Sequence, residues 1–271
     1  MEDFSDRKRF AVSTCREAGR MARTFFADRS KLEVTSKGAQ DWVSAADKGV
    51  ETFIRSRIAE AWPDDGSVGE EFGRTAGKSG FDWVIDPIDG TTNFVNGIPA
   101  WTIVLAGVAA GRTRIGVIHD PNIDETFAAV RGGGAFLNDA PMRPMTGVPL
   151  SAGTVSVGYS NRVEAGNVLP VVATLLERGA MFHRNASGAL SIAYVAAGRL
   201  LGYLEEHMNA WDCLAGQLLV EEAGGRVEAQ DADEMIRAGG RVVVAAPDVF
   251  DELLGVADDA WPGTKRVPGS H

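Results

Sequence analysis

Apolar residues recur every three or four positions from Phe10 through Ala11, Cys15, Ala18, Ala22 and Phe25, which is the period of an amphipathic helix. A first long helix is expected to end near Asp28. Ser44 and Asp47 stand at the spacing of a capping box, and Val50, Phe53, Ile54 and Ile58 continue one helical face toward Pro63. A second helix therefore runs to about Ala61. The stretch between them, 31–43, contains Ser36, Gly38 and Gln40 without a clear period and reads as a hairpin or mobile loop.

Beyond Pro63 the pattern changes to short apolar runs divided by Gly, Asn and Asp, as strands joined by turns require. Trp83 to Ile85, Thr102 to Val108, Ile115 to Ile118, Thr126 to Val130 and Val155 to Val157 are the candidate strands. Gly132, Gly133 and Gly134 fall between two of them and read as a tight turn or bulge, since no helix follows to complete a nucleotide fingerprint. From Asn167 the chain alternates. Helices are expected to Arg178, over Ser187 to Ala197, Ala210 to Ala223 and Pro247 to Leu254, with strands over Leu200 to Leu204 and Val242 to Ala246. The first half is thus α+β and the second α/β, with a soft boundary near Pro149 that gives halves 1–149 and 150–271 of one unit. The segment Pro262 to His271 reads as a fraying tail.

Charge narrows the function classes. With 27 Lys and Arg against 37 Asp and Glu the formal net charge is −10, so nonspecific binding to nucleic-acid phosphates is disfavoured. The two cysteines, Cys15 and Cys213, lie far apart inside helical patterns and read as small buried hydrophobes of a reducing compartment. A polar first decapeptide of mixed charge, and no run of about 18 uncharged apolar residues, lead to the expectation of a cytoplasmic protein with no membrane partner.

The densest chemical signal runs from Trp83 to Phe94, where an apolar strand leads to Asp86 and Asp89, then Gly90 and the hydroxyls of Thr91 and Thr92. Hard divalent cations take oxygen ligands, and backbone N–H groups at a helix start donate hydrogen bonds to phosphate. Those parts suit a metal-assisted phosphate site. Gly69-Glu70-Glu71 before this strand and Trp211-Asp212 after it could supply further carboxylates. Taken alone, the glutamate pair also suits a solvated turn, and Asp47 and Asp212 also suit helix caps.

Asp86-Pro-Ile-Asp-Gly-Thr-Thr-Asn-Phe94, preceded by Gly69-Glu-Glu71 and followed by Trp211-Asp-Cys-Leu-Ala-Gly216 and Glu221-Glu-Ala-Gly-Gly225, resembles the inositol monophosphatase family of Mg²⁺-dependent phosphomonoesterases. The resemblance extends from about Phe4 to Leu254. It implies a layered α-β-α-β-α sandwich and a homodimer. It further implies two or three Mg²⁺ ions on Glu70, Asp86, Asp89, Asp212 and the Ile88 carbonyl, inhibition by lithium, and phosphate on the backbone N–H groups of Gly90 and Thr91. By the same resemblance Asp47 accepts a hydrogen bond from Thr91, Glu70 and Thr91 orient the attacking water, and Glu205, Ser187 and Gly188 touch the substrate. Lys37 matches a basic residue at the mouth of the site. The implied substrate is a small polyol phosphate ester, in particular myo-inositol monophosphate, with histidinol phosphate as an alternative. Residues 185–190 and 205–209 depart from the commonest family wording, which bears on the alcohol rather than on the metals.

Two rival readings can be weighed. A haloacid-dehalogenase-type phosphatase needs a nucleophilic Asp two residues before Asp89, and Pro87 stands there. A regulatory or binding protein on the same scaffold would have little reason to keep all four candidate carboxylates.

Overall fold

The computed structural model describes residues 4–28, 34–38 and 41–264, with side chains for 4–28 and 45–264. The chain opens with α1 (Ser5–Ala27), β1 (Val34–Gly38), β2 (Asp41–Ser44) and α2 (Ala45–Ala61). A strand-rich stretch follows: β3 (Gly66–Gly69), β4 (Gly73–Thr75), β5 (Phe81–Asp89), α3 (Thr91–Asn96), β6 (Thr102–Ala109), β7 (Arg112–Asp120), β8 (Glu125–Val130), β9 (Ala135–Leu137) and β10 (Ala140–Pro141). The remainder alternates through β11 (Thr154–Val157), α4 (Val168–Glu177), β12 (Met181–His183), α5 (Gly188–Ala196), β13 (Gly202–Met208) and α6 (Ala210–Ala223). It closes with β14 (Arg226–Val227), α7 (Ala232–Ala238), β15 (Gly240–Ala245) and α8 (Phe250–Ala260).

The eight-stranded sheet has the order β10-β9-β8-β7-β6-β5-β3-β4 and is antiparallel except where β3 runs parallel to β5. The five-stranded sheet has the order β12-β11-β13-β15-β14, with β11 parallel to both of its neighbours. The stretch read as a hairpin or loop is an antiparallel pair, β1 on β2.

Strand periodicity builds the layers. Successive side chains point to opposite faces, so Trp83, Ile85, Ile103, Leu105 and Val117 pack under α1 and α2, while Val84, Val104, Ala106 and Ile118 pack against α5 and α6. The same two helices cover Tyr203, Val242 and Val244 of the smaller sheet, whose opposite face, Val155, Leu204, Val243 and Ala245, packs against α4 and α8. The order is helix, sheet, helix, sheet, helix, the α-β-α-β-α sandwich expected from the sequence. Continuous burial suits α5 and α6, because both flanks of that middle layer are dry. Cys15 and Cys213 are buried free thiols.

Gly116 lets α6 sit close to β7. A Cβ there would lie 2.5 Å from the Ala215 carbonyl oxygen and 2.9 Å from its Cα, and backbone cannot yield as a flexible side chain can. Gly116→Val is therefore expected to destabilise the fold by about 2 kcal/mol or more, read as a lower denaturant midpoint at unchanged slope.

The glycine run forms the expected turn. Gly132 and Gly134 have φ of 77° and 83°, and their N–H groups donate to the Glu222 carboxylate at 2.7 and 2.9 Å. Other expectations shift. The last helix starts three residues later than Pro247 and runs to Ala260, because Pro247 to Val249 is a turn in which the Val249 N–H reaches Ala246. The expected strand at Leu200 begins at Gly202 and extends to Met208. The short strands β3, β4, β9, β10, β12 and β14 and helix α7 were not anticipated.

Candidate metal centre and its cavity

Asp86 and Asp89 are three residues apart, a spacing that on a regular strand would send them to opposite faces. They meet because the strand is bulged: Asp86 pairs with Val104 and Asp89 with Thr102, so three steps on β5 oppose two on β6. Pro87, lacking an N–H, sits in the bulge, and the Ile88 N–H turns to the Asp86 carboxylate at 2.9 Å. The strand itself thus carries both acids, and the turn starts only at Gly90. Gly90 has φ 98° and precedes α3; a Cβ there would also approach the Ala100 carbonyl to 2.9 Å.

Asp212 comes from the helical middle layer itself. It is the third residue of α6, and its carboxylate accepts from the Asn209 N–H at 3.3 Å in a capping box. The cap reading of Asp212 is correct, and the same carboxylate also faces Asp86 and Asp89, with oxygens of all three within 4.8 Å of one another.

Asp89 is held firmly. It accepts from the Ser187 hydroxyl, from the Gly188 N–H at 3.2 Å and from the Ala189 N–H at 3.0 Å. Ser187 and Gly188, expected to face substrate, line the cavity yet give these donors to Asp89 at the start of α5. Asn93 ties the neighbouring loops together by donating to the Ala100 and Asn185 carbonyls, each at 2.6 Å.

Thr91 Oγ1 lies 3.1 Å from Asp47 Oδ1 and 3.1 Å from the Ile88 carbonyl. Asp47 is fully buried in the first turn of α2. One turn later, buried Glu51 accepts from the Glu71 N–H at 2.8 Å and pairs with Arg55 at 2.7 Å. The Glu70 N–H bonds the Ile85 carbonyl at 3.3 Å. These contacts hold the β3–β4 turn over the acids. Glu51 was not singled out from the sequence, although a glutamate within the apolar face of α2 was the available signal.

Electrostatics bear on what the site can hold. Burial, followed by the charges of Glu70, Asp89, Asp212 and Asp47, pushes the Asp86 carboxyl well above the usual range. Burial and then Asp212 raise Asp89 to about 7 despite its hydrogen bonds. Asp212 is raised by burial and relieved in part by Arg162. Carboxylates crowded this way repel one another until a cation joins them. Among the described residues only oxygen donors converge, and neither His nor Cys belongs to the cluster, which fits a hard divalent ion such as Mg²⁺ and not a thiolate-bound metal.

Glu70, Asp86, Ile88, Asp89, Gly90 and Thr91 line one wall of a cavity of about 700 Å³, and Ser187, Gly188, Glu205 and Asp212 line another. Glu205 lies on β13 itself, one residue past the strand expected over Leu200 to Leu204. It is buried, accepts from the Tyr203 hydroxyl and is raised to about 7, chiefly by burial. Lys37 belongs to β1, and its side chain lies outside the described residues. Sequence reasoning passed over Tyr159, Arg162 and Arg184, which also line the cavity from irregular loops with no periodic signal.

Comparison with known proteins places this geometry. A model of the inositol monophosphatase family matches residues 3–260. The chain is 38% identical over 249 residues to the Nus factor SuhB of Pasteurella multocida (strain Pm70), which covers 90% of this chain and 92% of that one. It is 37% identical over 246 residues to the inositol-1-monophosphatase of Mesorhizobium japonicum, with the same shares covered. Among solved structures, the extragenic suppressor protein suhB of Bartonella henselae superposes with a TM-score of 0.88 at 31% identity, covering 93% of this chain and 98% of the other. The IMPase of Thermotoga maritima gives 0.84 at 29% identity, covering 95% and 98%.

Proposed function

Because the chain belongs to the inositol monophosphatase family, we propose that it is a Mg²⁺-dependent phosphomonoesterase acting on small polyol or alcohol phosphates, in particular myo-inositol monophosphate. The observation that carries this reading is the bulge in β5, which turns Asp86 and Asp89 to one side and brings them against Asp212 at the wall of the cavity. Glu70, Asp86, Asp89, Asp212 and the Ile88 carbonyl would hold two or three Mg²⁺ ions. Bound Mg²⁺ would supply Lewis acidity, making water more acidic and neutralising charge on the leaving oxygen. Residues 1–149 would bring most of these groups and 150–271 would complete them in one catalytic unit.

The chain's own residues do the positioning. Backbone N–H groups of Gly90 and Thr91 bind the phosphate oxygens. The Thr91 hydroxyl, held between Asp47 and the Ile88 carbonyl, orients the attacking water together with Glu70. Water attacks phosphorus directly and in line with the leaving oxygen, so no aspartyl phosphate forms. Ser187 and Gly188 act through Asp89, which they fix at the start of α5. Lys37 remains the proposed mouth residue. Among the described residues no helix is long and apolar enough to cross a membrane; we read the protein as a lithium-sensitive cytoplasmic homodimer with no nucleic-acid partner.

Similarity to proteins named Nus factor SuhB favours a second reading, a regulatory protein on this scaffold. Assay against a panel of phosphate esters separates the two and ranks myo-inositol monophosphate against histidinol phosphate. Turnover with Mg²⁺ supports the hydrolase, and its absence on every ester supports the regulator. Within the hydrolase reading Glu205 accepts hydrogen bonds from alcohol hydroxyls. Glu205→Gln is expected to reduce kcat/KM on inositol monophosphate by roughly 10- to 150-fold and barely alter a simple aryl phosphate; equal losses would assign Glu205 to the fold or the metal site.

A further inference from the structure

The cavity wall carries five carboxylates, Glu70, Asp86, Asp89, Glu205 and Asp212, and among the described residues its only cationic groups are Arg162 and Arg184. Neither guanidinium is saturated by the protein. Arg184, exposed on the loop between β12 and α5, donates to the Tyr159 carbonyl at 3.2 Å. Arg162, on the loop between β11 and α4, approaches Asp212 Oδ2 only to 3.5 Å and is 37% exposed. A guanidinium presents five N–H donors in a planar fork that matches a carboxylate or phosphate. Most of those donors remain available to a ligand.

Both arginines share the cavity lining with Glu205, the residue that the hydrolase reading gives to the alcohol, Arg162 beside Asp212 and Arg184 beside Tyr159. Glu205 is partly committed there. One of its oxygens takes the Tyr203 hydroxyl, and both groups press on Gly158 where no Cβ could fit. A wall meant for neutral hydroxyls alone would need acceptors and donors in balance, whereas this one adds two cationic forks with donors to spare beside a half-occupied acceptor.

We propose that Arg162 and Arg184 give this cavity a preference for phosphate monoesters whose alcohol carries a second anionic group, a carboxylate or a further phosphate. The inference deepens the hydrolase reading and rests on it. Without the arginines such a group would face Glu205 and Asp212 and be repelled; with them it gains charge-assisted hydrogen bonds.

The matched pair glycerol 2-phosphate and 2-phosphoglycerate, which differ by one CH₂OH against one carboxylate, tests this directly. With Mg²⁺ the wild-type protein is expected to favour 2-phosphoglycerate by about tenfold in kcat/KM. R162Q and R184Q should each lower the rate on 2-phosphoglycerate more than on glycerol 2-phosphate and narrow that ratio, and R184K should restore part of it. A wild-type ratio of one or below, or equal losses on both esters, would overturn the proposal while leaving the hydrolase reading intact. If neither ester turns over while myo-inositol monophosphate does, the proposal is overturned; if that ester is inert as well, the hydrolase reading is what fails. Calorimetric binding of 2-phosphoglycerate then decides the inference: tighter binding by wild type than by R184Q upholds it, and equal binding overturns it.

Discussion

Asp89→Asn is expected to lower Mg²⁺-dependent hydrolysis of phosphate monoesters by at least about two orders of magnitude and to raise the melting temperature of the metal-free protein. Both effects come from one carboxylate. Asp89 shares its neighbourhood with Asp86 and Asp212 within 4.8 Å, so in the reading advanced here it is one of the groups that bind Mg²⁺, whose stabilisation of developing charge is worth several kcal/mol. Its removal relieves repulsion in a site whose compensating cation, Arg162, reaches only Asp212, at 3.5 Å. The amide keeps an acceptor for the Ser187 hydroxyl, which limits local rearrangement. Steady-state kinetics and a thermal melt in EDTA check the two halves separately. Near-normal turnover at low millimolar Mg²⁺ would remove Asp89 from the proposed ligand set.

Saturating Mg²⁺ at pH 8 is expected to raise the melting temperature by about 5 °C or more, since a ligand at 100-fold its Kd adds about 2.7 kcal/mol to a native state that alone binds it. The gain should shrink on acidification. Asp89 titrates at about 7 in the folded chain against an ordinary 3.8, so between those values the folded state holds a proton that the unfolded state has released. Stability of the metal-free protein therefore falls as pH rises through 7. Buried His119 works the other way at lower pH: its value is lowered to about 4, mainly by burial, so it contributes stability above 6.5 that is lost as pH falls toward 4. The window from pH 6.5 to 8 isolates the acidic cluster. Melting curves in EDTA should decline across it by a few degrees and decline less steeply in Asp89→Asn, where buried Glu205 still titrates at about 7; a metal-free protein equally stable at both ends would argue against crowded carboxylates.

Much of the architecture was legible in local pattern. Helix α6 occupies Ala210 to Ala223 as read from its apolar run, because a helix between two sheets must be apolar all round and its ends are set by Asn209 and Gly224. Strands β5 to β8 were found for the same reason, since buried strands leave continuous apolar runs. The short strands escaped because Gly66-Ser-Val-Gly69 and Gly73-Arg-Thr75 carry little apolar signal; β3 exists by lying parallel to β5, a long-range pairing.

The candidate site divides in the same way. Its acids were recognisable by type and order, yet spacing alone places Asp86 and Asp89 on opposite faces, and only the pairing with β6 reveals the bulge at Pro87. Ser187 and Gly188 were read outward toward substrate; their donors turn inward because Asp89, a hundred residues earlier in a distant strand, sits at the start of α5. Arg162 and Arg184 were invisible to periodicity, as residues of irregular loops acquire meaning only from what the fold sets opposite them. Glu51 differs again: it supports the Glu70 turn through a backbone N–H that no sequence pattern pairs with it.

The most direct measurement is phosphate release from myo-inositol monophosphate by EDTA-stripped protein as Mg²⁺ is added back. The account predicts no release without the cation and a saturable rise as Mg²⁺ is restored. Release that persists undiminished in EDTA, or none at any Mg²⁺ concentration, would contradict it.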